Sequence, residues 1–312
     1  MPSVIKKSDV VKNFPRRDPD SHKGQNGRVL VIGGSIHYFG APILAGLGAF
    51  GCGADLVYLL VPECNFEVSR SYYPDFIVRK YAGNFINSRT MDVLPELLQK
   101  DAPRQAGRSN AVAESRLGLK IDCILIGPGV SEELESLRVI TRIIEKAECP
   151  VVLDAEAIPA IAQFGLPVPD ADGKLPQPRF TITPNRAEMD EITEGALPED
   201  PEEELRVVED FAKKWNVNIL LKKPRALIVS PDLPTRLNET GNAGMTVGGS
   251  GDVLAGVVAS LIAQKLRPYE ACQCAAYFLG AAGDNLYRQK GYAFTATDLA
   301  LELPYTIHSI VD

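Results

Sequence analysis

The sequence predicts an α/β fold, and three observations carry that reading. Short β-branched apolar runs alternate with longer segments of helical period. The runs are apolar throughout rather than at every second residue, as strands are when helices cover both faces of a parallel sheet. Run after run also ends in glycine or a polar residue, where ligands bind in open α/β sheets.

Taken in order, Arg28–Ile32 (RVLVI) is a strand ending in Gly33-Gly34, and Ala41–Ala54 is a helix of small residues. Leu56–Val61 is the next strand and Phe76–Val78 a short one. Cys123–Ile126 runs into Gly127-Pro128-Gly129, and Glu132–Ala147 has amphipathic helical period. Val151–Leu153 ends at Asp154, Phe180–Ile182 at Thr183-Pro184-Asn185, and Ile219–Leu221 at Lys222. Val253–Gln264 is a long apolar helix. Two stretches break the pattern, polar 101–120 and Pro/Asp-rich 165–178, and both read as surface loops. The acidic run Pro198–Glu204 reads as a solvated helix start, its carboxylates facing the positive end of the dipole. No repeat or linker divides the chain, so one domain over 1–312 is expected, with 1–20 as an N-terminal extension.

Composition narrows the function classes. The 33 Lys and Arg against 40 Asp and Glu leave a net charge of −7, which argues against a general nucleic-acid binder. Only three histidines occur and there is no C-x-x-C, so no zinc-ligand cluster is expected. The six cysteines read as structural thiols, with Cys272 and Cys274 buried in an apolar helix. The N-terminus lacks an apolar secretory core, and no apolar run approaches a membrane span. Free thiols without a signal point to the cytoplasm.

Gly46–Gly51 fits G-x-G-x-x-G, but it lies inside a helix, about 13 residues past the strand end. Its glycines are expected to let that helix approach its neighbours, and a Rossmann dehydrogenase is excluded. No Walker A occurs. The informative segment is Gly241–Asp252 (GNAGMTVGGSGD), which opens the Val253–Gln264 helix. Gly248, Gly249, Ser250 and Gly251 leave successive backbone N–H groups uncovered at a helix N-terminus, a hole for a phosphate or oxyanion. Asp252 in the first turn faces the same volume. The competing reading makes Asp252 a helix cap, though a cap needs one polar residue rather than the whole run. A helix N-terminus also favours the ionised carboxylate and weakens it as a base.

GNAGMTVGGSGDVLAG resembles the GNPGMATGGTGDVLTG signature of ADP/ATP-dependent NAD(P)H-hydrate dehydratases, members of the ribokinase-like superfamily. His22-Lys23-Gly24 with Gly27–Ser35 is similar to the family's HKG-x-x-G-x-VLVIGGS. Gly40-Ala41-Pro42 matches the start of its first helix, Gly127-Pro128-Gly129 its GPG, and Leu153–Ala157 its LDADA. Thr183-Pro184 with Glu188 matches TPHPGE in part: Asn185 replaces the histidine, and Arg186-Ala187 the Pro-Gly. Of the family's Lys-Gly-x-x-Thr only Lys222 survives, followed by Lys223-Pro224-Arg225-Ala226. Asn185 can donate a hydrogen bond but cannot carry a proton. Pro224 removes a backbone donor that Arg225 can replace with a charged contact.

The resemblance implies a ribokinase-like three-layer sandwich: a central, mostly parallel sheet with helices on both faces. It implies that a nucleotide, ADP or ATP with Mg²⁺, phosphorylates the misplaced hydroxyl of hydrated NADH or NADPH, and that phosphate then leaves. Asp252 would be the base. Lys222, Arg225, Asn242, Gly248, Gly249, Ser250 and Gly251 would bind nucleotide and phosphate, and Ala41, Gly129, Asn185 and Asp252 the hydrate. No residue is assigned as a direct metal ligand. The partners expected are these small molecules and other copies of the chain, with no nucleic acid and no membrane. The alternatives are a small-molecule kinase and a non-catalytic nucleotide binder on the same fold.

Overall fold

The computed structural model describes residues 2–98, 120–166, 178–193 and 195–312. The expected loops 101–120 and 165–178 lie outside them except for their end residues. Among the described residues ten strands form one sheet: β1 (Ser3–Val4), β2 (Arg28–Ile32), β3 (Leu56–Pro62), β4 (Ile77–Tyr81), β5 (Cys123–Ile126), β6 (Val151–Leu153), β7 (Phe180–Ile182), β8 (Val217–Leu221), β9 (Leu227–Val229) and β10 (Arg236–Leu237). Their spatial order is β1-β10-β9-β8-β7-β6-β5-β2-β3-β4. The stretch from β8 through β5 and β2 to β4 is parallel. β9 runs antiparallel to both β8 and β10. The sheet is thus mostly parallel, as expected, and its antiparallel part is a short meander whose runs are too brief to show a pattern in the sequence.

Alternate strand residues point to opposite faces, and each face packs its own helix layer. Val29, Val31, Leu59, Leu125, Leu220 and Ile228 meet α2 (Gly40–Gly51), α9 (Ser250–Ala263), α10 (Pro268–Lys290) and α11 (Ala296–Val311). Leu30, Ile32, Leu60, Ile124, Leu153 and Ile182 meet α4 (Thr90–Leu98), α5 (Leu134–Lys146), α6 (Pro159–Phe164), α7 (Arg186–Ile192) and α8 (Pro201–Trp215). α3 (Glu63–Tyr72) follows β3, its Phe66 against the first layer. The N-terminal residues join the sheet. β1 pairs with β10, and α1 (Lys7–Asn13) leads to Phe14, whose ring meets Phe278 edge-on at 5.3 Å.

Glycine sets how closely α2 and α9 approach. A Cβ on Gly48 would collide with the Val253 carbonyl, and one on Gly256 with that of Ala45. The G-x-G-x-x-G inside α2 is therefore a packing surface. Two expectations need correction. Cys52, Cys123, Cys272 and Cys274 are buried and Cys149 half-buried, but Cys64 is exposed at the start of α3. In the acidic run, Asp200 caps α8 as a helix start requires. Glu204, however, is buried, held by Arg186 at 3.1 Å and by Lys223, because it falls on the inner face one turn in.

Candidate active site

The parallel strands bring Gly33-Gly34, Gly127–Gly129, Asp154, Asn185 and Lys222 to one sheet edge, each just after its strand. Gly127 has φ +127°, and a Cβ there would collide with the Asp154 carbonyl, so only glycine lets β5 leave the sheet beside β6. Asp154 is 1% exposed. Its Oδ1 accepts from Thr183 Oγ1 at 2.7 Å and from Lys222 Nζ at 2.8 Å. Lys222 Nζ also lies 3.6 Å from Glu188 Oε2.

Asn185 caps α7: its Oδ1 accepts from the Glu188 amide at 3.0 Å, and its Nδ2 donates to Glu188 Oε1 at 2.7 Å. Asn185 thereby aims Glu188 at Lys222. Gly129 (φ +69°) approaches the start of α2 so closely that a Cβ would sit 3.0 Å from that of Ala41. Ala41 and Gly129 are thus together.

The glycine-rich segment forms a short 3₁₀ turn, Ala243–Thr246, and then α9. Asn242 caps that turn through the Gly244 amide at 3.0 Å and donates Nδ2 to Asp284 at 3.0 Å. Asp284 also accepts from the Gly241 amide at 3.0 Å, so α10 holds the segment in place. Gly249, at φ +90°, precedes the first turn of α9, and a Cβ on Gly248 would meet only open space. Ser250 turns inward: its amide reaches the Val247 carbonyl at 3.3 Å and its hydroxyl donates to that of Met245 at 2.8 Å. Gly251 and Asp252 follow as first-turn donors without intrahelical acceptors. A Cβ on Gly251 would stand 3.4 Å from Lys222 Nζ, which puts the lysine against the anion hole.

Asp252 takes no part in capping α9. Burial first, and then the charge of Asp154, raise its carboxyl to about 7, with Glu156 and Glu188 adding to the shift and Lys222 opposing it. This reverses the expectation of a weakened base: loss of water and crowding by carboxylates outweigh the helix N-terminus. Burial likewise raises Glu156 and Glu188. Lys222, which burial alone would lower, is raised by Asp154 and Glu188. Arg225 is apart from this cluster in the β8–β9 turn, 70% exposed and 3.3 Å from Glu239. Sequence reasoning assigned no role to Glu156, Glu188 or Asp284; a carboxylate just past the end of β6 was the available signal for Glu156, and the partial TPHPGE match for Glu188.

The cleft therefore offers a base near neutrality, uncovered amides at a helix start and one ammonium among four carboxylates. The sequence pattern of the NAD(P)H-hydrate dehydratase family matches residues 29–305. An ADP-dependent (S)-NAD(P)H-hydrate dehydratase of Cenarchaeum symbiosum is 33% identical over 302 residues, 96% of this chain and 95% of that protein. A bifunctional NAD(P)H-hydrate repair enzyme of Methanothermobacter thermautotrophicus is 34% identical over 296 residues, 93% of this chain but 51% of that protein. The chain thus spans about half the length of its bifunctional relatives. In fold it resembles the Bacillus subtilis ADP/ATP-dependent NAD(P)H-hydrate dehydratase crystallised with ATP and Mg²⁺, with a TM-score of 0.78 at 24% identity over 99% of both chains. With the glycine-rich helix start, its aspartate and the carboxylate-bound lysine in place, the chain belongs to the NAD(P)H-hydrate dehydratase family.

Proposed function

We propose that this chain dehydrates hydrated NADH or NADPH at the expense of a nucleotide. The observation that carries the reading is Asp252, a carboxyl raised to about 7 beside the uncovered N-terminus of α9 and Lys222. A base titrating near neutrality suits abstraction of a hydroxyl proton. As Asp252 takes that proton, the hydroxyl oxygen attacks the terminal phosphorus, the bond from that phosphorus to the bridging oxygen breaks to release the nucleotide shortened by one phosphate, and charge develops on the transferring phosphoryl oxygens. The Gly251 and Asp252 amides and Lys222 stabilise that charge. The C–O bond then breaks with phosphate as leaving group, and loss of a proton from the neighbouring carbon restores the ring double bond. Ala41 and Gly129 shape the hydrate side, and Asn185 acts by fixing Glu188 beside Lys222. Relatives named as ADP-dependent support ADP as the co-substrate.

Mg²⁺ fits this donor set as an ion carried on the phosphates. Four carboxylates, Asp154, Glu156, Glu188 and Asp252, face one lysine, so a polyphosphate entering the cleft requires further positive charge. Among the described residues no three His, Cys, Asp or Glu side chains converge to hold a metal unaided. Bound together with the nucleotide, the ion would supply neutralisation of its phosphates.

We also place the chain in the cytoplasm as a single catalytic unit and as a homo-oligomer. Six free cysteines and the absence, among the described residues, of a helix long and apolar enough to cross a membrane support the first. One sheet containing strands from Ser3 to Leu237 supports the second. Exposed Tyr287, Tyr292, Leu301 and Tyr305 support the third. The deciding experiment incubates the chain with hydrated NADH and ADP or ATP and follows NADH absorbance. Recovery of absorbance is expected. Nucleotide consumption with other alcohols but not with the hydrate would make the chain a small-molecule kinase.

A further inference from the structure

At the opposite edge of the sheet, where β5 to β8 begin, lies a cavity of about 550 Å³. Residues 265–270, the turn from α9 into α10, line it together with Asn218 of β8. Ile262, which lines it, lies ten residues along α9 from Asp252, roughly 15 Å of helix. Lys265 pairs with Asp122 and Ser230 with Asp232, but two buried side chains of the lining keep polar atoms without partners. Asn218 is 0% exposed, and neither its Oδ1 nor its Nδ2 has a partner. Glu270 is 9% exposed; one oxygen is held by Arg267, while Oε2 has no partner. Thr181, paired in register with Asn218 and so on the same sheet face, buries an unpaired hydroxyl beside it. Buried polar groups are almost always hydrogen-bonded, and leaving an amide unpaired on both sides is costly.

We propose that this cavity is a second binding site, for an uncharged amino-substituted heteroaromatic ring such as an adenine base or nucleoside. A carboxamide pairs in two places with an adenine edge, its NH₂ donating to N7 and its oxygen accepting from the 6-amino group. The second amino hydrogen is then directed to Glu270 Oε2. Ile121, Ile262, Leu266 and Tyr269 supply apolar walls for the ring. Four carboxylates against three cations line the cavity, so a nucleoside suits it better than a nucleotide, the reverse of the glycine-rich cleft. This inference is independent of the proposed reaction.

Calorimetric titration of the full chain in saturating ADP with adenosine, inosine and AMP tests it. Adenosine should bind, and inosine at least about tenfold more weakly, because its 6-oxo group places an acceptor against Glu270 and the Asn218 oxygen. AMP should also bind more weakly than adenosine. Asn218→Leu should abolish adenosine binding while raising the melting temperature, since it removes an unpaired amide from the interior. Glu270→Ala should weaken adenosine binding as well, and it locates the site if Asn218→Leu fails to fold. No adenosine binding, equal affinity for inosine, tighter binding of AMP, or adenosine binding that a folded Asn218→Leu chain leaves unchanged would each overturn the proposal.

Discussion

Asp252 unites two demands that oppose each other at the level of single residues. It stands at a helix start, which favours its charge, and it is buried among Asp154, Glu156 and Glu188, which disfavour it more. Activity should therefore rise with pH through about 7 as the base deprotonates. Asp252→Asn should lower turnover by about 10²–10⁴ while nucleotide binding persists. Stability gives an independent reading. From about pH 4 to 7 the folded chain retains a proton that the unfolded chain has lost, so stability falls as pH rises through that window. Asp252→Asn should thus melt higher than the parent at about pH 8 and no higher below about pH 4. Lys222 opposes the Asp252 shift. Lys222→Met should move the activity limb above about 7 and weaken nucleotide binding by about 1.5–3 kcal/mol, both readable from one pH series with calorimetry. Asn185→Ala removes a cap worth about 1 kcal/mol and frees Glu188. KM should rise more than kcat falls, and a collapse of kcat at constant KM would speak against a positioning role.

Helix packing determines where these residues meet. α9 reaches the sheet edge because Gly256 lets it lie against the Ala45 carbonyl and Gly48 admits Val253. Each contact is backbone against backbone, which cannot yield as a side-chain tip can. Gly256→Ala should cost about 1–3 kcal/mol as overpacking, seen as a lower melting temperature. Displacement of the α9 start should also weaken nucleotide binding, an effect that a purely structural glycine distant from the site would not have. Asp284 works between elements too, its carboxylate tying the Gly241-Asn242 backbone to α10 ahead of the anion hole.

For the molecule as a whole, the sheet needs both of its edges managed. β1 covers β10, and the N-terminal residues are secured by buried Val10, the Phe14–Phe278 ring contact and an Asp9–Arg236 ion pair. Deleting residues 1–14 would expose the β10 edge and part of the α10 surface. A lower melting temperature and concentration-dependent aggregation are expected, as unprotected edge strands pair with other chains. Light scattering against the full chain measures it, and a deletion variant that stays monodisperse with an unchanged melting temperature would show these residues to be dispensable.

Much of this protein was legible without coordinates, because the relevant signals are local. Strand runs ending in Gly33-Gly34, Gly127–Gly129 and Asp154 follow from backbone sterics and two-sided burial, and Gly248–Asp252 before an apolar helix is a short-range pattern. The antiparallel β9–β10 pair, the buried Glu204, the grouping of Glu156 and Glu188 around Lys222, and the Asn218 cavity depend on chain segments far apart in sequence. The pKa of Asp252 belongs with them. Its own helix start argues for a weak base, and only the tertiary structure, by removing water and adding carboxylates from β6 and α7, brings it to about 7. The sequence by itself determined which groups stand at the sheet edge. The tertiary structure decided their charge, because electrostatic energy depends on distance and solvent rather than on order along the chain.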